Sequence, residues 1–292
     1  MEDNKEFQAQ QKGLLKVIHF LREKADRGKL IVFVGAGVSC NVEGMPSWNK
    51  LVNKMADTLE GNEDKETTLE DERTFSIDDS LKFPQYLWNE DSEEYKNILN
   101  NSIPDLEVDP PLSSAIFDLN PTHIITTNYD HLLEKSSNPL RTLYQVIIRD
   151  KDLLTYTHSK YLIKMHGDID DFDSIVLKED DYLNYSSTHN LIEWFVRSLF
   201  TNHVVLFLGY SLNDSNVRQI VSWINLIRSE NQITHKDSQP IGYLVQDEET
   251  IDRLDRLKLN DFARKNIEII NIHSISSISD IPKELKDERG KR

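Results

Sequence analysis

Four short segments carry the residues best suited to chemistry: Gly35-Ala36-Gly37-Val38-Ser39, Thr126-Thr127-Asn128-Tyr129-Asp130, His166-Gly167-Asp168 and Gly209-Tyr210-Ser211-Leu212-Asn213-Asp214. His166 belongs to the one side-chain type that titrates near neutrality, so it can serve as a general base. The Asn128 amide both donates and accepts hydrogen bonds, which suits holding a ribose hydroxyl or a water. Gly35 and Gly37 permit a tight turn and a close backbone approach to a pyrophosphate. Gly209 and Ser211 can receive a ribose or phosphate.

Each segment also has a plainer reading. Gly35-x-Gly37 is also an ordinary strand-to-loop turn, and Cys40 stands where the dinucleotide fingerprint has its third glycine. Asn128 can form an Asx-turn, and Asp130 can cap a helix beginning there, a mainly structural role. A strand-end histidine commonly bonds a carbonyl. Gly167 admits either a ligand or another backbone. Asp214 can be the N-cap of the helix that follows. What favours a shared site is position: each segment follows or ends a largely apolar run. In an open parallel sheet, ligands bind beyond the carboxyl ends of the strands.

The elements that would position these residues follow from pattern. Residues 5–27 read as a helix ending before Gly28, and 30–34 (Leu-Ile-Val-Phe-Val) as a buried strand. Ser47 is an N-cap for a helix carrying Trp48, Leu51, Val52, Met55 and Leu59 on one face, with Gly61 at its end. Residues 61–80 are polar and acidic and read as a surface loop or a mobile flap. Residues 81–118 read as helical, with breaks at Pro84, Pro104, Pro110 and Pro111. Further strands are expected at about 122–126, 161–165, 204–208, 241–245 and 267–272. A helix after Asp214 places Val217, Ile220, Val221, Ile224 and Ile227 on one stripe. This alternation predicts an α/β fold: a Rossmann-like, doubly wound, mainly parallel sheet. An N-terminal helix (1–29) precedes the main domain (30–285), which carries an inserted helical module at about 45–120. The charged stretch 286–292 reads as a solvated end or a linker.

Composition narrows the function. The chain has 292 residues and a formal net charge of −16, which argues against a surface for a nucleic-acid backbone. Its single cysteine, Cys40, allows neither an intrachain disulfide nor a Cys-rich zinc site, and no metal is expected. The cluster Glu179-Asp180-Asp181 reads as a solvated face. No stretch reaches the ~20 apolar residues of a membrane span, so a cytoplasmic location is expected. His123 and His203 begin strands at the opposite edge from the crevice and read as structural. Trp48, Tyr86 and Trp88 read as core residues of the helical module.

Together the four segments resemble the sirtuin family, in its divergent bacterial, defence-associated branch. That family carries a Gly-Ala-Gly-[Ile/Val]-Ser turn, a Thr-x-Asn-x-Asp segment, a His-Gly pair and a Gly-x-Ser segment in this order. The matching residues are Gly35 to Ser39, Thr126 to Asp130, His166-Gly167, and Gly209 with Ser211. The segment Val176-Leu177-Lys178-Glu179-Asp180-Asp181-Tyr182 also looks close to defence-associated sirtuins. The resemblance implies NAD as substrate, cleaved at its nicotinamide–ribose bond. It implies Asn128 and His166 as catalytic residues. It implies Gly35, Ala36, Gly37, Ser39, Asp130, Gly209 and Ser211 as nucleotide contacts. Two departures weigh against protein deacylation: there is no four-cysteine zinc module, and Met45-Pro46-Ser47-Trp48-Asn49-Lys50 replaces an Asp-Phe-Arg segment. Deacylation, ADP-ribosyl transfer and nucleotide sensing without cleavage are the rival readings. An NAD-depleting enzyme must be restrained in its host, so a homo-oligomer, a sensor domain or a controlling partner is expected.

Overall fold

The computed structural model describes residues 16–61, 73, 75–106, 110–155, 159–210, 215–233, 239–247 and 253–272. Residues 16–26 form helix α1. Strand β1 (Leu30–Val34) follows, with every residue buried. After it come the short helix α2 (Ala36–Ser39) and helices α3 (Trp48–Leu59), α4 (Ile77–Glu90), α5 (Ser92–Ser102) and α6 (Pro111–Asp118). Strands β2 (His123–Thr126) and β3 (Tyr144–Ile147), helix α7 (Asp150–Thr155) and strand β4 (Lys160–Lys164) come next. Then follow α8 (Glu179–Leu183), α9 (Tyr185–Thr188), α10 (Asn190–Asn202) and β5 (Val204–Leu208). The described chain closes with α11 (Ser215–Glu230), β6 (Gly242–Asp247), α12 (Arg253–Arg264) and β7 (Ile267–Ile272).

The seven strands form one sheet in the order β3-β4-β2-β1-β5-β6-β7, and every pairing is parallel. This is the expected doubly wound α/β architecture. Parallel strands buried on both faces need apolar residues at every position, which explains the unbroken run 30–34. Ile31 and Phe33 pack on one side with Ile192, Val196, Phe200 and Ile220. Leu30, Val32 and Val34 pack on the other with Ile18, Leu21, Ile116 and Phe117. A third cluster joins α3, α4 and α5 through Leu51, Met55, Leu87, Tyr95 and Leu99, and it includes Tyr129, Ile169, Ile175 and Leu177 from the loops after β2 and β4.

Several local readings hold, and several change. Ser47 caps α3 by accepting from the Lys50 N–H. Residues 77–80 are helical, the start of α4, not part of a loop. Pro84 lies inside α4 and does not break it. A proline costs the helix one N–H bond, and the full burial of Leu87 one turn on holds the segment in place. Strand β3 was not anticipated: it is four residues long, sits at the sheet edge and follows a 3-10 turn begun by Pro139. Residues 132–135 form turns, not the helix expected after Asp130. Tyr86 is exposed, whereas Trp48 and Trp88 do pack on the module core. Asp181 is no solvated acid: it accepts from the Leu177 and Lys178 N–H groups. In α11, Ile220, Val221 and Ile224 are buried while Ile227 is partly exposed. Ser211 and Asp214 lie outside the described residues.

The winding reverses between β1 and β5. The chain builds β2, β3 and β4 on one side of β1 and then crosses to place β5 on the other. The loops that meet there touch backbone to backbone. The Gly35 N–H donates to Leu208 O at 2.9 Å and the Gly37 N–H to Gly209 O at 2.8 Å. Gly209 has φ +59, and a Cβ on it would lie 2.4 Å from the Val38 nitrogen. Gly209→Ala therefore meets both a left-handed backbone and a clash with main chain, and we expect it to cost about 2–5 kcal/mol of stability. Urea unfolding checks this; a loss under about 1 kcal/mol would mean the loops do not pack this closely.

Candidate active site

The strand register lines up four ends in a row. Val34 pairs with Leu208 on one side and Thr126 on the other, and Thr126 pairs with Lys164. The four sequence segments thus leave the sheet side by side.

Asn128, two residues past Thr126, is buried. Its backbone N–H donates to Thr126 Oγ1 at 3.0 Å, and that hydroxyl donates to Val34 O at 3.0 Å. The Asn128 side-chain amide donates to Gly35 O at 3.2 Å and to Ser39 Oγ at 2.8 Å. The Ser39 hydroxyl donates to Asp130 Oδ2 at 2.7 Å, and Asp130 Oδ1 accepts from the Leu132 N–H at 3.0 Å. Both Asn128 amide protons are thereby committed, which fixes which way the amide faces. Its carbonyl oxygen Oδ1 is buried and has no hydrogen-bond donor among the described residues. A buried acceptor left unpaired costs about 1–3 kcal/mol, so this atom suits a donor brought by water or a ligand.

His166, two residues past Lys164, occupies the equivalent place on the neighbouring strand. It is 3% exposed. The rings of Tyr182 and Tyr185 meet it in T-shaped contacts at centroid distances of 5.5 and 6.2 Å. Its backbone carbonyl accepts from the Val176 N–H at 3.0 Å. At Gly167 (φ +85) the close neighbour is another backbone: a Cβ would lie 2.2 Å from Ser174 O.

Of the sequence-derived site residues, Gly35, Ser39, Asn128 and Asp130 join in one hydrogen-bonded network. Gly37 and Gly209 hold two loops together, and the Gly37 N–H is spent on that contact. Ala36 is exposed at the start of α2. His123 accepts from the Tyr161 N–H at 3.1 Å, and burial pushes its pKa down to about 4, consistent with a structural role.

The sequence reading missed a polar cluster beneath these loops. Lys164 is fully buried and bonds Asp168 Oδ2 at 2.6 Å, Tyr129 O at 3.1 Å and Asp130 O at 2.8 Å, with Glu134 Oε1 at 2.9 Å. Asp168 Oδ1 meets His131 Nε2 at 2.9 Å and accepts from the Asp170 N–H at 2.9 Å. Burial alone would raise the Asp168 carboxyl; the His131 hydrogen bond and the Lys164 ammonium instead hold it well below the usual carboxylate range. The Asp168 hydrogen bond in turn pushes His131 up to about 9. Ligand atoms of His131, Asp168 and Asp170 lie within 4.8 Å of one another, the spacing of a possible cation site. His131 and the Lys164 ammonium already partner both oxygens of the Asp168 carboxylate. The available signal was a lysine inside the apolar run Tyr161-Leu162-Ile163-Lys164-Met165.

The seven-stranded parallel sheet with helices on both faces defines an α/β protein whose polar loops gather where the strand order reverses. A family model described as SIR2-like domain matches residues 122–270, about half of the chain, and the chain belongs to that family. It is 32% identical over 223 residues to defence-associated sirtuin 2 of Bacillus subtilis, covering 75% of this chain and 21% of that protein. It is 30% identical over 285 residues to the NAD(+) hydrolase ThsA of Enterococcus faecium, covering 90% of this chain and 56% of that protein. The chain thus spans about a fifth to just over half of these relatives. A crystal structure of a Sir2 homologue–NAD complex aligns over 92% of this chain and 94% of that one, at 12% identity and a TM-score of 0.47.

The His131–Asp168 pair sets a pH dependence. His131 binds its proton more tightly folded (about 9) than at its ordinary value of 6.5. The stability it contributes is therefore complete below pH 6.5 and lost as pH rises through about 9. Thermal unfolding should show the melting temperature falling across this window, with a flatter profile for His131→Gln. Equal slopes in both proteins would remove the ion pair from the account.

Proposed function

We propose that this chain hydrolyses NAD at the nicotinamide–ribose bond and depletes NAD as an effector of bacterial anti-phage defence. The observation that carries the reading is the Asn128 amide: both protons are anchored on the loop after β1, and a buried carbonyl oxygen is left to accept. Membership of the SIR2-like family and the likeness to a relative named as an NAD(+) hydrolase support it.

The chemistry asks for little beyond positioning and one base. The bond between the ribose anomeric carbon and the nicotinamide nitrogen breaks, and its electron pair leaves with neutral nicotinamide. Positive charge builds on the ribose as in an oxocarbenium ion. Water adds to that carbon and gives up one proton. Asn128 Oδ1 accepts a hydrogen bond from the water or a ribose hydroxyl and so orients it. His166 takes the proton. Gly35, Ala36, Gly37 and Ser39 shape the turn that the pyrophosphate side lies against, by close backbone approach and not through the Gly35 and Gly37 N–H groups, which are already donated; Asp130 keeps Ser39 in place, and Gly209 and Ser211 serve the adenosine side.

The enzyme works in the cytoplasm. Among the described residues no helix is long and apolar enough to cross a membrane. Restraint of so costly an activity falls to self-association, a further domain or a partner protein.

Purified protein given NAD should release nicotinamide and ADP-ribose. Asn128→Ala and His166→Ala should each lower turnover by about 10²–10⁴-fold with the fold intact by circular dichroism. Normal turnover in either folded variant would remove that residue from the mechanism. Cleavage that appears only with an acetyl-lysine peptide would mark a deacylase instead.

A further inference from the structure

We propose that Lys164 is a positioning residue that sets Asn128 and His166 relative to each other for the chemical step. The proposal rests on the hydrolase reading above.

Lys164 ends β4, at the strand position where β1 and β5 carry Val34 and Leu208. It is 0% exposed. Its three ammonium protons go to Tyr129 O, Asp130 O and Asp168 Oδ2, and Glu134 Oε1 lies 2.9 Å away as an ion-pair partner, so four oxygens surround it within 3.1 Å. Three of those oxygens, Tyr129 O, Asp130 O and Glu134 Oε1, belong to the loop after β2. The fourth, Asp168 Oδ2, belongs to the loop after β4. One buried cation therefore ties the two loops together. Tyr129 is the residue next to Asn128, and His166 lies midway between Lys164 and Asp168.

An apolar residue at this strand end would avoid the cost of desolvating an ammonium and two carboxylates, and buried ion pairs often stabilise no more than the apolar groups that could replace them. What the pair adds is direction. The bonds to Tyr129 O and Asp130 O hold the two peptide groups that follow Tyr129, and with them the path of the loop that presents the Asn128 amide to Gly35 and Ser39. The bond to Asp168 fixes the far side of the His166 turn, together with the Asp168 N–H donation to Ser174 Oγ at 3.0 Å. Lys164 bonds loop oxygens on either side of the reacting centre and leaves contact with the substrate to Asn128 and His166. A displacement of about 1 Å at a reacting centre costs on the order of 10²-fold in rate, which is the size of effect expected here.

The test compares Lys164→Met, Lys164→Arg and a triple variant, Lys164→Met with Glu134→Gln and Asp168→Asn. The triple variant takes all three buried charges away together, so an uncompensated carboxylate does not unfold it. Steady-state nicotinamide release, NAD titration calorimetry and circular dichroism are read on each full chain. Positioning predicts kcat lower by about 10²-fold in Lys164→Met and in the triple variant, with KM and NAD affinity within about threefold of wild type. It predicts that Lys164→Arg, which can bridge the same oxygens, recovers about tenfold of that loss. A folded Lys164→Met or triple variant with wild-type kcat overturns the proposal. So does a loss carried by NAD affinity, or an arginine variant no better than methionine. Wild-type protein that cleaves no NAD even when concentrated to drive self-association, and that still binds it by calorimetry, overturns the hydrolase reading itself in favour of a sensor, and is told apart because the parent shows no turnover to lose.

Discussion

Gly209 and the turn from Gly35 to Val38 pack main chain against main chain where the sheet reverses its winding, with two N–H donations holding the contact. A Cβ at Gly209 would push these loops apart. With them together, the Gly35 carbonyl and the Ser39 hydroxyl stand where the Asn128 amide can donate to both. The register then places His166 at the matching position one strand further along. The site is thus a consequence of strand order and of how close two backbones can come.

Beneath the loops lies the polar cluster of Lys164, Glu134, Asp168 and His131. Four ionisable groups this close to the core are costly unless they satisfy one another. They do so through the Glu134–Lys164 ion pair and the hydrogen bonds from Lys164 to Asp168 and between Asp168 and His131. Asp130 belongs both to this cluster, through its carbonyl, and to the Asn128 network, through its carboxylate. The helical module presses on the same loops from above, with Tyr129, Ile169 and Ile175 in its core. The Tyr129 hydroxyl donates to Val176 O at 2.9 Å, joining the Asn128 loop to the segment after His166. The residues proposed to act on NAD are held from three directions.

The domain belongs to the SIR2-like family, and the curated relatives extend well beyond the length it spans.

The sheet's strands, except β3, are legible in the sequence because strands buried on both faces need apolar runs. The candidate site is legible as four segments because polar and glycine residues at strand ends break those runs abruptly. Local pattern also predicts Ser47 as a cap. It fails for Pro84, where packing overrides propensity, and for β3, an edge strand that is only half-buried and whose Tyr-Gln-Val-Ile stretch is no unbroken apolar run. It identifies Asn128 and His166 by type and position but cannot say which atoms of Asn128 are committed, since Gly35 and Ser39 are about ninety residues away in sequence. It does not connect Lys164, Asp168 and His131, whose partnership depends on loop geometry. Residue type and alternation are local properties, so sequence alone determined the strands and the chemical groups available. Strand order, register and charge pairing are long-range, so only the tertiary structure decided which of those groups meet.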